Sequence, residues 1–174
     1  MGMPLFKIIF SFAILLAINI PLFSQTDSID HAYQRMIERK YDGFPTLSTS
    51  EAQKKLHTSV LFLDTRSQEE YNVSHLPRAL FIDYDQFNIS ALDSIKKNTE
   101  IIVYCSIGVR SQEIGKQLKD EGFTNVKNLY GGIFLWADQG RIMHNLTHDE
   151  TRKVHGYNKF WGRWVKKAKV VYSD

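Results

Sequence analysis

The sequence predicts one α/β domain built on a mainly parallel sheet with helices on both faces. Three observations predict it. The chain has 174 residues, enough for one domain with a real core and modest extensions. Short apolar runs such as "VLFLD" and "EIIVYC" have the length and composition of buried strands. Segments of helical period with capping residues stand between them, and strands alternating with helices make a parallel sheet covered on both sides.

Taken in order, "DSIDHAYQRMIERKY" reads as a helix with Ile29, Tyr33, Met36 and Ile37 on one face, broken by "YDGFP". "PTLS" is a short strand and "STSEAQKKLH" a capped helix. "VLFLD" is a strand, and "SQEEYNV" a short helix opened by a capping box, Ser67 with Glu70. "ALFID" is a strand and "QFNISALDSIKK" a helix. "EIIVYC" is the most apolar strand; "SQEIGKQLKDEG" is a helix with Ile114 and Leu118 inward and Gly122 at its stop. "VKNLY" is the last strand and "GGIFLWADQG" a short terminal helix.

The chain divides into residues 1–24, a helical segment 25–43, the α/β body 44–140 and an extension 141–174. Residues 1–24 carry one charge, Lys7, then an apolar run of 11 residues, Ile8 to Ile18, then Asn19 and Pro21, with Ser24 before Gln25. This is the layout of a cleaved secretory signal peptide, and it predicts export to a periplasm or the exterior. An uncleaved anchor is the competing reading, but the apolar run falls short of the roughly 20 residues a span requires.

Charge is uneven. Residues 152–174 hold seven basic side chains and one acidic, whereas residues 25–151 hold 14 basic and 18 acidic. The basic character belongs to the tail, which argues against a nucleic-acid-binding face on the body. In the tail, Tyr157, Trp161, Trp164, Val165 and Ala168 recur at helical spacing. Such a helix docks on its own domain or lies on an anionic membrane; opposite charges on tail and body favour docking, and a monomer is expected. His144, His148 and His155 lack a cysteine or clustered carboxylate to complete a metal site. They read as surface histidines in a polar linker, and neither metal nor cofactor is expected.

The chemistry concentrates in "YCSIGVRS", which holds the chain's single cysteine, Cys105, on the turn from a strand into a helix. One cysteine forms no internal bridge, so it is a core thiol, an intermolecular partner or a reactive group. Gly108 lets the backbone curl into a nest of N–H donors. The helix N-terminus and Arg110 add positive charge, and together these favour the nucleophilic thiolate. A buried structural thiol does not account for the glycine, the arginine and the strand-to-helix position together. Ligands of parallel sheets bind at the carboxyl ends of strands, where Cys105 and Asp64 both stand.

"LDTRSQEEY", "SHLPRALFID", "IIVYCSIGVRS", "LKDEGFTNVKNLYGG" and "IFLWADQG" follow one another over roughly residues 44–140, and in that order they resemble the rhodanese-like domain family. The resemblance implies a sulfurtransferase of the thiosulfate sulfurtransferase type. Cys105 would be the nucleophile and persulfide carrier. Ser106, Ile107, Gly108, Val109 and Arg110 would cradle the persulfide through backbone N–H groups. Asp64 and Arg66 would support the loop, or serve only as a stabilising ion pair, and His75 would be structural. The partners implied are a small sulfur donor and a thiol acceptor, small or thioredoxin-like. Ser74 and Arg78 depart from the glycines of the family's Gly-His-Ile-x-Gly-Ala. Two rival functions stand beside this one: a non-catalytic binding module, whose inactive members typically lack the cysteine, and a phosphatase or arsenate reductase of the related branch. That branch has a loop one residue longer, whereas four residues separate Cys105 from Arg110 here.

Overall fold

The computed structural model describes residues 29–172; the expected signal peptide lies outside them. A five-stranded parallel sheet forms the centre, in the order β1-β5-β4-β2-β3. Its strands are β1 (Thr46–Leu47), β2 (Leu61–Asp64), β3 (Leu80–Phe81), β4 (Ile101–Tyr104) and β5 (Val126–Leu129). The register sets Asp64 of β2 beside Tyr104 of β4, so both strands end at the same level.

Alternation along β4 explains the two layers. Ile101 and Val103 point to one face, where they pack with Ile114 and Leu118 of α4 (Val109–Asp120), Leu92 and Phe123. Ile102 and Tyr104 point to the other, where α1 (His31–Glu38), α2 (Thr49–Lys55) and α5 (Gly132–Asp138) supply Tyr33, Ile37, Ala52, Phe134 and Trp136. All four β4 residues are buried, as a central strand covered on both sides requires. α2 and α3 (Gln68–Val73) both open on complete capping boxes, at Ser48 with Glu51 and at Ser67 with Glu70.

Two expected helices are corrected. "QFNISALDSIKK" forms only a 3₁₀ turn over Ile89–Leu92. Asn88 accepts from both the N–H and the hydroxyl of Ser90, a local bond that competes with helix continuation. The tail is not one helix either. It forms a small antiparallel pair, β6 (Met143–His144) with β7 (Glu150–Thr151), then β8 (Lys153–His155), the four-residue α6 (Lys159–Gly162) and β9 (Lys169–Val171), which pairs parallel to β8. Asp138 accepts from the N–H groups of Lys166, Lys167 and Ala168 at 2.8–3.2 Å and so turns the chain where the aromatic period would have continued it. Val154 and Val165 enter the same core as α1 and α5, and Trp164 lies 5.7 Å from Tyr33, ring to ring. His155 is buried on β8 rather than exposed in a linker.

Candidate active site

The turn after β4 carries Cys105, which is buried, and its geometry follows from Gly108. Gly108 has φ +98° and precedes α4 as its N-cap, with no side-chain cap. Its N–H instead donates to Cys105 Sγ at 3.1 Å. A β-carbon at residue 108 would collide with the Tyr41 hydroxyl and crowd Asn128, so the curl needs glycine twice, for its backbone and for its neighbours.

Those neighbours hold the loop by its carbonyls. Tyr41 donates its hydroxyl to Ile107 O at 2.8 Å and accepts from Gly131 N–H at 3.1 Å. Asn128 on β5 donates to Gly108 O at 2.8 Å and is itself held by the Ser111 hydroxyl at 2.7 Å. From α5, the N–H of Ile133 reaches Cys105 O at 2.9 Å and that of Phe134 reaches Ser106 O at 3.1 Å. Gly132 makes this approach possible, since a β-carbon there would strike the carbonyls of Cys105 and Ser106. With its carbonyls engaged from outside, the loop is preorganised around the thiol.

Glu70 braces the other side. Its carboxylate accepts from Arg110 Nη2 through both oxygens, at 3.0 and 2.9 Å, and from the Ser106 hydroxyl at 2.7 Å. The same side chain closes the α3 capping box on Ser67 N–H. Burial raises the Glu70 pKa, but the charges of Arg66 and Arg110 and the Ser106 bond outweigh it and hold the carboxyl below the ordinary range. Burial likewise disfavours the Arg110 cation, and the Cys105 and Glu70 charges overcome it. Arg110 therefore serves as a fixed charge tied to Glu70.

Asp64 and Arg66 form a fully buried pair, Arg66 Nη2 to Asp64 Oδ2 at 2.7 Å and Nε to Oδ1 at 2.9 Å. Arg66 also donates to Ser74 O and lies 5.9 Å from the centre of the Tyr104 ring. The pair braces β2, the end of α3 and Tyr104; the direct brace of the loop is Glu70, which the sequence showed only as a helix cap. His75 stacks on Tyr71 with centroids 4.0 Å apart and exchanges backbone hydrogen bonds with His144, a packing role. Arg78 adopts φ +62°, the left-handed turn that glycine would take freely, and its guanidinium donates to Leu56 O and Thr58 O at 3.1 and 3.3 Å.

A cleft of about 180 Å³ opens beside Cys105, lined by Ser106, Ile107, Val109, Arg110, Lys40, Tyr157 and Trp161. The last three were not foreseen as site residues, for they come from the end of α1 and from the extension.

Residues 48–139 match the rhodanese-like domain family. The chain belongs to that family. Over 86 residues it is 33% identical to the tRNA uridine(34) hydroxylase of Escherichia coli K12/DH10B, covering 47% of this chain and 25% of that protein. The chain thus spans about a quarter of the length of the curated relatives it matches. Among solved structures it is similar to a rhodanese-like domain from Anabaena, with TM-score 0.54 and 23% identity over 59% of this chain and 80% of that one. It is also similar to a thiosulfate sulfurtransferase from Pseudomonas aeruginosa, with TM-score 0.54 and 22% identity over 65% of this chain and 22% of that one. At those identities the likeness is one of fold.

Proposed function

We propose that this rhodanese-like domain is a sulfurtransferase that works through a Cys105 persulfide. The observation that carries the reading is the Cys105 thiol, which lines a cleft and receives the Gly108 N–H. The Cys105 thiolate attacks the outer sulfur of a sulfane donor. A new S–S bond forms, and the bond to the rest of the donor breaks with its electron pair leaving on that fragment. An acceptor thiolate then attacks the outer sulfur and regenerates Cys105. The loop holds the terminal sulfur anion near the uncapped start of α4 and the Arg110 charge, which favour negative charge at that point. Export of the chain, through residues 1–24, belongs to the same proposal.

A phosphatase reading fits less well. Four residues separate Cys105 from Arg110, and Arg110 Nη2 is committed to Glu70 instead of being open to a phosphate dianion. The test is turnover: thiosulfate and a thiol are supplied together, and sulfite and acceptor persulfide are measured. Sulfite release that depends on both enzyme and thiol is expected. Absence of enzyme-dependent acceptor persulfide with thiosulfate, organic thiosulfonates and polysulfide alike would return the domain to a binding role.

A further inference from the structure

The wall of the cleft facing the cysteine loop has a composition that an inorganic anion does not require. Lys40, Tyr157 and Trp161 meet there with Val109 and Ile107. Lys40 Nζ lies 5.3 Å from the centre of the Trp161 ring, and Arg110 Cζ lies 4.9 Å from that of Tyr157. Lys40 is anchored to the site rather than loosely near it: its carbonyl accepts from Gln112 of α4 at 3.1 Å, and the next residue, Tyr41, holds Ile107 O. Among the described residues Lys40 makes no ion pair, whereas Arg110 is paired with Glu70. The cleft therefore offers one uncompensated cation, two aromatic faces and two aliphatic side chains. Its volume of about 180 Å³ is of the order of the roughly 150 Å³ apolar cavities that take up benzene.

We infer that Tyr157 and Trp161 are specificity-determining residues that select a sulfane-sulfur donor with a planar apolar group, an aryl thiosulfonate, over inorganic thiosulfate, with Lys40 holding the donor's anionic head. The inference rests on the sulfurtransferase reading of the same site. The aryl group stacks against Trp161 and Tyr157, and Lys40 receives the sulfonyl oxygens. Thiosulfate carries two charges and no apolar surface, so it gains nothing from the aromatic wall. The transfer is balanced. Cys105 Sγ attacks the outer sulfur of R–SO₂–S⁻, the S–SO₂R bond breaks with its electron pair, and a sulfinate R–SO₂⁻ departs from the persulfide Cys–S–S⁻.

The test uses the mature chain and two donors, benzenethiosulfonate and thiosulfate, with release of sulfinate or sulfite and intact mass as readouts. A kcat/KM ratio of at least about tenfold in favour of benzenethiosulfonate is expected, the order of discrimination that apolar pocket contacts supply. Trp161→Ala should collapse that ratio about fivefold or more, mainly through KM for the aryl donor. Lys40→Gln, at an exposed position, should raise KM for both donors, since both present anionic oxygens to Lys40, and should not lower the ratio. A general loss of folding lowers both rates together and leaves the ratio in place, so the ratio separates selection from stability. Equal use of both donors by the wild type, or a ratio that Trp161→Ala does not move, overturns the inference and leaves sulfur transfer standing. No persulfide mass with either donor overturns the transferase reading itself, and the inference falls with it.

Discussion

Residues 105–110 and residues 157–161 face the same cleft but are held there in different ways. The loop is one continuous stretch. Cys105, Ser106 and Ile107 are buried, and its groups bond to Tyr41, Glu70, Asn128 and the start of α5. The opposite wall is exposed at Tyr157 and rests on ring contacts and on the pairing of β8 with β9 beneath it. Under the proposed function the difference separates two tasks. A reacting sulfur needs donors fixed to a fraction of an ångström, and only a buried, fully bonded loop provides that. Recognition of a donor's organic part would need area more than angle, which exposed Tyr157 and half-buried Trp161 offer. Damage to the loop should therefore abolish chemistry, whereas damage to the wall should change preference or stability.

The sharpest division comes from Cys105→Ser, which should eliminate sulfur transfer while thermal unfolding stays close to that of the wild type. Residual donor-dependent turnover would place the chemistry elsewhere. Glu70→Ala comes next. It leaves Arg110 without its carboxylate and Ser106 without its acceptor, and breaking such a pair costs about 3 kcal/mol. Displacement of the loop should slow transfer about a hundredfold; a loss confined to stability would show that Glu70 is only a cap.

Glu70 also has a pH signature. Its native carboxyl lies below the ordinary value of 4.5, so its contribution is complete above that value and is lost as pH falls through the lower native one. Glu70→Gln should flatten the acid limb of stability against pH, and an unchanged limb would contradict the assigned charge pairing.

The extension should answer differently. Val154 is fully buried on β8 in the main core. Val154→Ala should cost about 2 kcal/mol, from lost burial together with the cavity left behind, and lower the melting temperature. Persulfide formation at Cys105 should persist in the molecules that remain folded. If loop chemistry disappears in step with the core mutation, the two walls are one unit and the contrast fails. The smallest effect is expected at Arg78→Gly. Relief of the left-handed φ, about 1 kcal/mol, opposes loss of the bonds to Leu56 O and Thr58 O, so the net change should stay within about 1 kcal/mol.

The same contrast governs what could be read from the sequence. The sheet was legible because strands buried on both faces are written as unbroken apolar runs, and the loop because its cysteine, glycine and arginine are contiguous. Glu70 was visible only as a partner of Ser67, since a capping box does not reveal that the carboxylate reaches Arg110 through both oxygens across 40 residues. Tyr41, Asn128 and Lys40 carried no local signal; long-range packing alone sets Tyr41 and Asn128 on the loop and ties Lys40 to α4. The aromatic period of the tail was misleading. Its rings do pack, Trp164 near Tyr33 and Trp161 under Lys40, but from the four-residue α6 and the turn after it, because Asp138 captures three successive N–H groups.

The most direct test of persulfide chemistry at Cys105 is the intact mass of the wild-type chain after incubation with a sulfane donor and removal of excess reagent. The chain should gain one sulfur atom, reversed by a thiol and absent in Cys105→Ser. A wild-type mass that stays unchanged with every donor, while the protein remains folded, would contradict that chemistry.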